Sequence, residues 1–413
     1  MTESKVRIIG HQWARDAHLL KDFLGRNRIP FAWLDIDRGG QAMSLLDAHE
    51  LGGARLPVVI FDDGSTLEDP SVVELAEAMG MHRHADSNYY DVAVVGAGPA
   101  GLAAAVYAAS EGLSTVVIER EAPGGQAGTS SRIENYLGFP DGISGGDLAE
   151  AALKQATKFG AEVLYPVDAE SVNLGAHYKH LYLSDSTEIT VRALVLATGV
   201  SYRTLHGPGL SELNGAGVYY GAATTEAAAA ADRHVYVVGA GNSAGQGALY
   251  FARFAGKVTM FVRGESLAAT MSQYLIDQLD ADPKIEVVPG HRVVAALGSD
   301  HLEAIRVEEL ASGDVEELPA EFLFVFIGAE PEIQWLGGQL AVDDKGFVFT
   351  GEDVPLDEVN WPLDRAPFHL EASVPGVFVA GDLRHGSIRR VAGGVGEGST
   401  SIQLVHRYLA DTN

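Results

Sequence analysis

The feature that most constrains the fold of this sequence is a glycine-rich turn that occurs twice, each time between a strand-like apolar run and a helix-like run. The first copy, GAGPAG, spans Gly96 to Gly101 after YDVAVV, and the second, GAGNSA, spans Gly239 to Ala244 after HVYVV. In this pattern the first glycine permits a tight turn, the second lets a pyrophosphate approach the backbone, and the third small residue lets helix and strand pack closely. Free N–H groups and the dipole at the helix start favour phosphate. The sequence therefore predicts an α/β protein with two Rossmann-like (three-layer ββα) nucleotide-binding domains.

The residue after the second strand of each unit indicates which dinucleotide binds there. Glu119 lies 18 residues beyond Gly101, where a carboxylate accepts hydrogen bonds from ribose hydroxyls. At the matching place Arg263 lies 19 residues beyond Ala244, and a guanidinium suits a ribose 2′-phosphate. NADPH is therefore favoured over NADH at the second site, while a merely solvent-facing Arg263 stays open as the alternative. Two nucleotide sites in one chain indicate a relay in which a nicotinamide supplies hydride and a flavin receives it.

Composition removes several functional classes. The 413 residues include no cysteine, so the chain cannot form a disulfide, bind a metal through thiolates or use a thiol nucleophile. The formal charge of −27 repels phosphate backbones, so no nucleic-acid partner is expected. The 14 histidines show no metal-ligand spacing, and no metal site is predicted. Residues 1–5 lack the layout of a signal peptide and no apolar run reaches membrane-spanning length, so a cytoplasmic protein is expected.

Further short motifs follow the first glycine turn in a specific order: GGQ at 124–126, ENY at 134–136, ATG at 197–199 and GD at 381–382. Together with the two turns, these motifs resemble the low-molecular-weight thioredoxin reductase family over about residues 88–410. The resemblance implies a discontinuous FAD domain at 90–207 and 328–413, with an NAD(P)H domain inserted at 208–327. It also implies a homodimer, and two domain orientations that alternate so that each dinucleotide can reach the flavin.

The resemblance assigns cofactor contacts residue by residue. Gly125, Gln126 and Asn135 would lie along the FAD, Asp382 would hold its ribityl chain or pyrophosphate, and segment 389–392 would run past the isoalloxazine ring. The residues predicted to contact FAD are Gly96, Gly98, Pro99, Ala100, Gly101, Glu119, Arg120, Gly125, Gln126, Asn135, Ala197, Thr198, Gly199, Gly381, Asp382, Arg389, Arg390, Val391 and Ala392. Those predicted to bind NADPH, or NADH, are Gly239, Gly241, Asn242, Ser243, Ala244 and Arg263. No catalytic side chain is expected, because the cofactors carry the chemistry and the protein orients them.

The sequence departs from the family at its redox centre. The C-x-x-C pair of the family aligns with Gly221 and Thr224, and neither residue can form or attack a disulfide. Dithiol exchange needs a thiolate, so reduction of thioredoxin by the usual route is excluded. The family's phosphate-binding His-Arg-Arg run is also reduced to the single Arg263. The electron acceptor is therefore open: oxygen, a quinone, another small oxidant or a redox protein.

Three rival functions remain beside an NAD(P)H oxidoreductase. The protein could bind FAD without turnover, as a redox sensor or interaction protein. It could be a ferredoxin-type reductase, although the acidic surface disfavours an acidic ferredoxin. It could also pass electrons from the flavin directly to the thiols of a partner.

Residues 1–81 predict a separate small domain of the order β-α-β-α-β-turn-α, followed by a polar linker at 82–89. This domain resembles a glutaredoxin or thioredoxin-like fold without redox cysteines, with Pro57 expected to be cis and Trp13 in the former redox window. Asp69 is expected to cap the last helix. Two interpretations stay open: Trp13 beside Pro57 is an exposed anchor for a protein partner, or it is packed in a core and the domain is structural.

Overall fold

A computed structural model of the chain describes residues 6–130, 133–175, 177–221 and 229–412. The N-terminal fold is a four-stranded sheet of order β2-β1-β3-β4, with β1 and β2 parallel and the other pairs antiparallel. Its elements are β1 (Val6–Gly10), α1 (Arg15–Arg26), β2 (Phe31–Asp35), α2 (Gln41–Ala48), β3 (Val58–Phe61), β4 (Thr66–Glu68) and α3 (Val72–Ala78).

Two local features of this fold differ from the sequence-based expectation. The short strand β4 was not predicted, and it forms because Gly64, at φ +86°, turns the chain back on β3. The last helix is capped by Ser71 rather than Asp69. The Ser71 Oγ accepts from the N–H of Glu74 at 3.2 Å, and the Glu74 carboxylate accepts from the N–H of Ser71 at 2.8 Å, which is a capping box. The Leu56–Pro57 peptide bond is cis, as predicted.

The glycine turn at 96–101 lies in a second fold that begins at residue 89. Its parallel core is β7-β6-β5-β10, and the strands read as nearly continuous apolar runs because both faces are buried. The elements in this part are β5 (Tyr89–Val95), α4 (Pro99–Ser110), β6 (Thr115–Ile118), α5 (Gly125–Gly128), α6 (Gly145–Lys158), β7 (Glu162–Leu164), β8 (Ala169–Leu174), β9 (Lys179–Leu183), β10 (Glu188–Leu196) and β11 (Ser201–Tyr202).

The second glycine turn lies in a third fold with a five-stranded parallel sheet of order β12-β19-β13-β14-β15 and a three-stranded antiparallel sheet, β16-β17-β18. Its elements are β12 (Val218–Tyr220), β13 (His234–Val238), α7 (Asn242–Ala252), β14 (Lys257–Val262), α8 (Gln273–Ala281), β15 (Ile285–Pro289), β16 (His291–Leu297), β17 (Ala304–Glu309), β18 (Val315–Pro319), β19 (Phe322–Val325) and β20 (Ala329–Glu330).

The chain then returns to the sheet of the first glycine turn. Strand β21 (Val377–Val379) pairs in parallel with the second half of β10, and helix α9 (Val391–Asp411) follows it. The first half of β10 pairs with β9 in the antiparallel sense. This sheet is therefore assembled from two distant parts of the sequence, and the predicted fold class is confirmed.

The described residues divide into two compact units, one within Met1–Leu75 and Tyr202–Ala329, the other within Ala76–Ser201 and Glu330–Asn413. The N-terminal fold and the fold of the second glycine turn thus share one unit. The fold of the first glycine turn forms the other. Among the described residues, no helix is both long and apolar enough to cross a membrane.

The polar segment at 82–89 is fixed to the second unit by specific pairs. Arg83 is only 6% exposed and donates from Nε to the carbonyl oxygen of Pro166 at 3.2 Å. His82 Nε2 lies 2.8 Å from the Glu162 carboxylate, which also accepts from the N–H of Asp86 at 2.7 Å. Possible ligand atoms of His82, Asp86 and Glu162 lie within 4.8 Å of one another. Spacing in the sequence did not indicate this cluster, because Glu162 is 80 residues from His82.

Candidate dinucleotide-binding sites

The first glycine turn is tightly packed at two glycines and open at the third. At Gly96, with φ +100°, a Cβ would lie 2.4 Å from the carbonyl oxygen of Ala197. At Gly101 a Cβ would lie 1.8 Å from the carbonyl oxygen of Gly96, so only glycine lets α4 approach the end of β5. A Cβ at Gly98 would meet no atom within 4 Å. Gly98 therefore borders free space at the start of α4.

Two helices begin close to this free space. Gly98 is the N-cap of α4, with Pro99 at the first helical position, and Arg390 is the N-cap of α9. The first turn of α9 lies against the start of α4, since a Cβ at Gly394 would lie 3.7 Å from the backbone nitrogen of Ala100. Val391 and Ala392 form the start of α9. Unpaired N–H groups at helix starts are suited to bind phosphate.

Glu119 stabilises the glycine turn from the end of β6. The side chain is 8% exposed, and its carboxylate accepts from the N–H groups of Ala97 at 2.7 Å and Glu121 at 2.9 Å. Burial raises the pKa of Glu119, and the hydrogen bond from Ala97 acts against that rise. The neighbouring Arg120 pairs with Glu332. Glu119 thus holds the turn in place, and its predicted contact with a ribose stays a prediction.

The GGQ and ATG motifs flank the same open glycine. Gly125 has φ +51°, and a Cβ there would lie 3.3 Å from the Cα of Gly98. The Gln126 amide donates to the carbonyl oxygen of Val200, just past Gly199 at φ +66°. The buried Oγ1 of Thr198 has no hydrogen-bond partner among the described residues. Asn135, by contrast, lies exposed in the loop before α6.

The GD motif follows β21 and is fixed by α9. The N–H of Gly381 donates to the Glu397 carboxylate at 2.7 Å, and Arg384 pairs with Glu397 at 2.6 Å. Asp382 is partly buried; burial raises its pKa, while the charge of Arg389 acts in the opposite direction. The Arg389 guanidinium lies 5.0 Å from the centre of the Phe347 ring. Sequence reasoning missed Glu397, because a single acid within a glycine-rich helix start gave no signal of this role.

These observations fit a phosphate-containing dinucleotide in the second unit. The space beside Gly98 would admit backbone contact, two helix starts supply N–H donors, and the Thr198 hydroxyl is buried without a partner among the described residues. A buried hydroxyl without a partner costs free energy, so a ligand that hydrogen-bonds to it gains affinity. The residues present are therefore suited to hold FAD.

The second glycine turn repeats the first with one difference. A Cβ at Gly239 would lie 2.3 Å from the carbonyl oxygen of Phe326, whereas a Cβ at Gly241, the N-cap of α7, would again meet no atom within 4 Å. The difference is at the third position, where Ala244 is fully buried. Asn242 is bonded to Ser272, whose N–H donates to the Asn242 Oδ1 at 2.8 Å. Ser243 is exposed at the start of α7.

Arg263 and Glu119 occupy matching positions but have different surroundings. Arg263 directly follows β14 and is exposed, and it makes no ion pair within the described part of the chain. Glu119 is buried and hydrogen-bonded to its own glycine turn. A charged guanidinium that has no carboxylate partner is available to a phosphate group. This contrast supports a 2′-phosphorylated dinucleotide at the second turn.

The position aligned with the first cysteine of the family has no room for a side chain. Gly221 follows β12 with φ +78°, and a Cβ there would lie 2.6 Å from the aromatic ring of Tyr202. Thr224, aligned with the second cysteine, lies outside the described residues. The Tyr202 ring was not singled out from the sequence, since it is 19 residues from Gly221 and carries no motif. A side chain at Gly221 would therefore collide with the Tyr202 ring.

We expect Gly221→Ala to destabilise the protein by about 2–4 kcal/mol, because it combines left-handed backbone strain with overpacking against Tyr202. The matched control is Gly290→Ala in the same unit, where φ is +70° and a Cβ would meet nothing within 4 Å. This control is expected to lower the free energy of unfolding only through backbone strain, by about 1–2 kcal/mol. Urea unfolding midpoints measure both losses, and equal losses would contradict the packing argument.

The interpretation of Trp13 as an exposed anchor is wrong. Its ring stacks on His301, with centroids 5.4 Å apart and an interplanar angle of 19°, and lies 5.3 Å from the Phe322 ring. His18 on α1 contacts Tyr219 of β12 at 5.2 Å. These contacts lie within one compact unit. The segment around Trp13 in the N-terminal fold is therefore packed against the fold of the second glycine turn.

Comparison with known proteins identifies the class. The family model "Pyridine nucleotide-disulphide oxidoreductase" matches residues 90–398. A thioredoxin reductase of Listeria innocua is 32% identical over 327 residues, which cover 79% of this chain and 96% of that protein. The solved thioredoxin reductase of Lactococcus lactis superposes with a TM-score of 0.69 at 27% identity, over 78% of this chain and 99% of that one. That of T. acidophilum, 22% identical with a TM-score of 0.68 over 79% of this chain and 100% of that one, supports the fold.

The chain belongs to the pyridine nucleotide-disulphide oxidoreductase family. More particularly, it is a thioredoxin reductase-like, FAD-containing oxidoreductase that uses NAD(P)H, with FAD and NADPH as its cofactors. The predicted family is thus confirmed. With no cysteine, the chain represents a branch that lacks the dithiol of its relatives' usual chemistry.

Proposed function

We propose that this protein transfers electrons from NADPH, by way of FAD, to an acceptor that is not reduced through thiols of this chain. The observation that carries the proposal is the contrast between Gly221 and the two glycine turns. At Gly221, which aligns with a redox cysteine of the family, a Cβ would lie 2.6 Å from the Tyr202 ring, whereas Gly98 and Gly241 both border open space. Features suited to two dinucleotide sites support electron transfer from NADPH to FAD, and the absence of cysteine excludes a dithiol in this chain.

In this proposal the protein binds and orients rather than reacts. The backbone at Gly98 and the starts of α4 and α9 would hold the FAD pyrophosphate, with Asp382 beside the ribityl chain and 389–392 along the ring system. The backbone at Gly241 and the Arg263 guanidinium would hold NADPH. When bound, the two cofactors supply hydride donation and electron release. No side chain of the protein needs to form a covalent bond.

The surface charge narrows the class of acceptor. A formal charge of −27 repels acidic redox proteins such as ferredoxins, and it repels anionic oxidants at low salt. A neutral or cationic small oxidant, oxygen included, is favoured. Trp13 is not available to anchor a redox protein, because it contacts His301 and Phe322. The homodimer, which the family resemblance implies, and the cytoplasmic location expected from the sequence belong to the same proposal.

The test is anaerobic mixing of the purified protein with NADPH, and separately with NADH, while the flavin absorbance at about 450 nm is followed. Rapid bleaching by NADPH is the expected result, and re-oxidation by added quinone, oxygen or ferredoxin then identifies the acceptor class. Bound FAD that neither nucleotide bleaches would overturn the proposal and favour a flavin-binding sensor. Turnover of thioredoxin disulfide would contradict the exclusion of thiol chemistry.

Arg263 allows a specific prediction about the preference for NADPH over NADH. Arg263→Gln is expected to lower kcat/KM for NADPH by roughly 10- to 100-fold and leave that for NADH unchanged, because one charge-assisted bond to the 2′-phosphate is lost. Arg253→Gln, which removes the same charge at the C-cap of α7, is the control and should change neither value. An equal loss of kcat/KM with both nucleotides would show that Arg263 does not bind the 2′-phosphate.

A further inference from the structure

A cavity of about 360 Å³ lies between the parallel sheet and the antiparallel sheet of the fold that contains the second glycine turn. Its inner wall is formed by side chains of β13, β14 and β17: Tyr236, Thr259, Phe261 and Val307, each at most 5% exposed. The volume is within the range of pockets that take small organic ligands. The proposed dinucleotide site uses other residues and does not account for this cavity.

The inner wall is aromatic. The rings of Tyr236 and Phe261 are parallel, with centroids 5.7 Å apart and an interplanar angle of 4°. The imidazole of His234 stacks on Tyr236 at 4.2 Å, and its Nε2 lies 2.8 Å from Thr259 Oγ1. Burial, and next the charge of Lys257, lowers the pKa of His234, which disfavours the charged imidazole. The wall is therefore mainly aromatic.

The mouth of the cavity is acidic. Its exposed lining includes four carboxylates and one ammonium group, those of Glu286, Glu309, Asp314, Glu316 and Lys257. Lys257 is neutralised by Glu286 at 2.6 Å, whereas Glu316 makes no ion pair within the described residues. Burial raises the pKa of Tyr236, with Glu316 and Glu286 contributing in the same direction, so the field of these acids reaches the inner wall. A ligand with an apolar ring and a positively charged group would match this distribution of charge.

The cavity is separated from the second glycine turn by the parallel sheet. Its lining residues Tyr236, Phe261 and Val288 lie on the sheet face that packs against the antiparallel sheet, while α7 packs on the opposite face. A ligand here would not displace the dinucleotide.

We propose that this cavity is a second ligand site, which binds a small aromatic amine: a planar ring against Tyr236 and Phe261, and an ammonium group at the carboxylates of the mouth. The site does not depend on electron transfer by the protein. An arylalkylamine fits both parts, since its ring and its charged nitrogen are joined by a short chain. The proposal is independent of the function proposed above, and binding rather than turnover tests it.

The probe is tryptamine, with neutral N-acetyltryptamine as its matched control, titrated calorimetrically into the FAD-loaded protein. One tryptamine per chain is expected, with binding that weakens as salt is added and is unchanged by saturating NADPH. Binding of N-acetyltryptamine at equal affinity would overturn the role of the carboxylates. Competition with NADPH, or no binding of tryptamine, would overturn the site itself.

Two variants locate the binding. Val315 lines the mouth and is 55% exposed, so Val315→Arg should fold, introduce a positive charge and weaken tryptamine binding at least roughly tenfold. Glu316→Gln should weaken it roughly threefold. The control is Glu317→Gln, an equal charge change on the adjacent residue, which pairs with Arg306 and does not line the cavity. Wild-type affinity in Val315→Arg would place the amine elsewhere and refute the proposal.

Discussion

Replacing Gly98 by leucine is expected to give a folded protein that no longer retains FAD. The backbone at Gly98 has φ −69° and ψ −176°, which any residue adopts, and a Cβ there would meet no protein atom within 4 Å. The leucine side chain would instead occupy the free space at the start of α4. If that space receives a pyrophosphate, affinity should fall at least about 100-fold, which corresponds to about 3 kcal/mol. The ratio of flavin to protein absorbance after gel filtration measures the loss.

Two further leucine variants control this result. Gly53→Leu, in the N-terminal fold, also meets no atom within 4 Å and should keep a full complement of FAD. Gly241→Leu changes the equivalent glycine of the second turn and should keep FAD while reduction by NADPH slows at least about 100-fold. Far-UV circular dichroism confirms that each variant is folded. A Gly98→Leu protein that purifies with normal FAD would show that the cofactor does not approach this turn.

Trp13→Ala is expected to destabilise the unit that contains it by about 2–4 kcal/mol. The substitution removes an aromatic side chain that stacks on His301 and contacts Phe322, and large-to-small changes at packed aromatic positions cost several kcal/mol. The loss appears as a lower urea midpoint for unfolding of this unit. Amide protons of β19, which contains Phe322, should exchange faster in the variant, because the strand is no longer shielded from solvent by the Trp13 ring.

The control for Trp13 is Leu19→Ala on α1, since Leu19 is also a large apolar residue of the N-terminal fold but is 44% exposed. It should cost less than about 1 kcal/mol. An equal, small effect of both variants would mean that the Trp13 contacts do not stabilise the unit. The N-terminal fold would then be a mobile arm, and the hypothesis of a docked partner would regain support.

The parts of the fold that depend on local sequence could be predicted. The glycine turns follow from strand, turn and helix signals within about 30 residues, and the alternation of helices and strands indicated the α/β class. The cap of α3 was predicted too early in the chain. Asp69 precedes Pro70 and suggested a cap, but Ser71 forms the capping box because Glu74 lies three residues beyond it.

Contacts between distant residues could not be predicted in the same way. Trp13 meets His301 and Phe322, which lie about 290 and 310 residues further along the chain, and nothing in the local pattern marks them as partners. Glu119 was expected to face a ribose, but its position also lets the carboxylate reach the N–H of Ala97. Motif spacing places a side chain near a turn and does not say which donors it will accept from.

The contact between α4 and α9 orders the events of synthesis. The glycine turn at 96–101 leaves the ribosome before β21 and α9, which complete its sheet and contact Ala100 through Gly398. The strands of the fold that contains the second glycine turn, β12 to β19, are finished about 50 residues before β21. A nascent chain can thus complete the fold of the second turn while that of the first is still open. Capture of FAD by the finished site therefore follows the synthesis of β21 and α9.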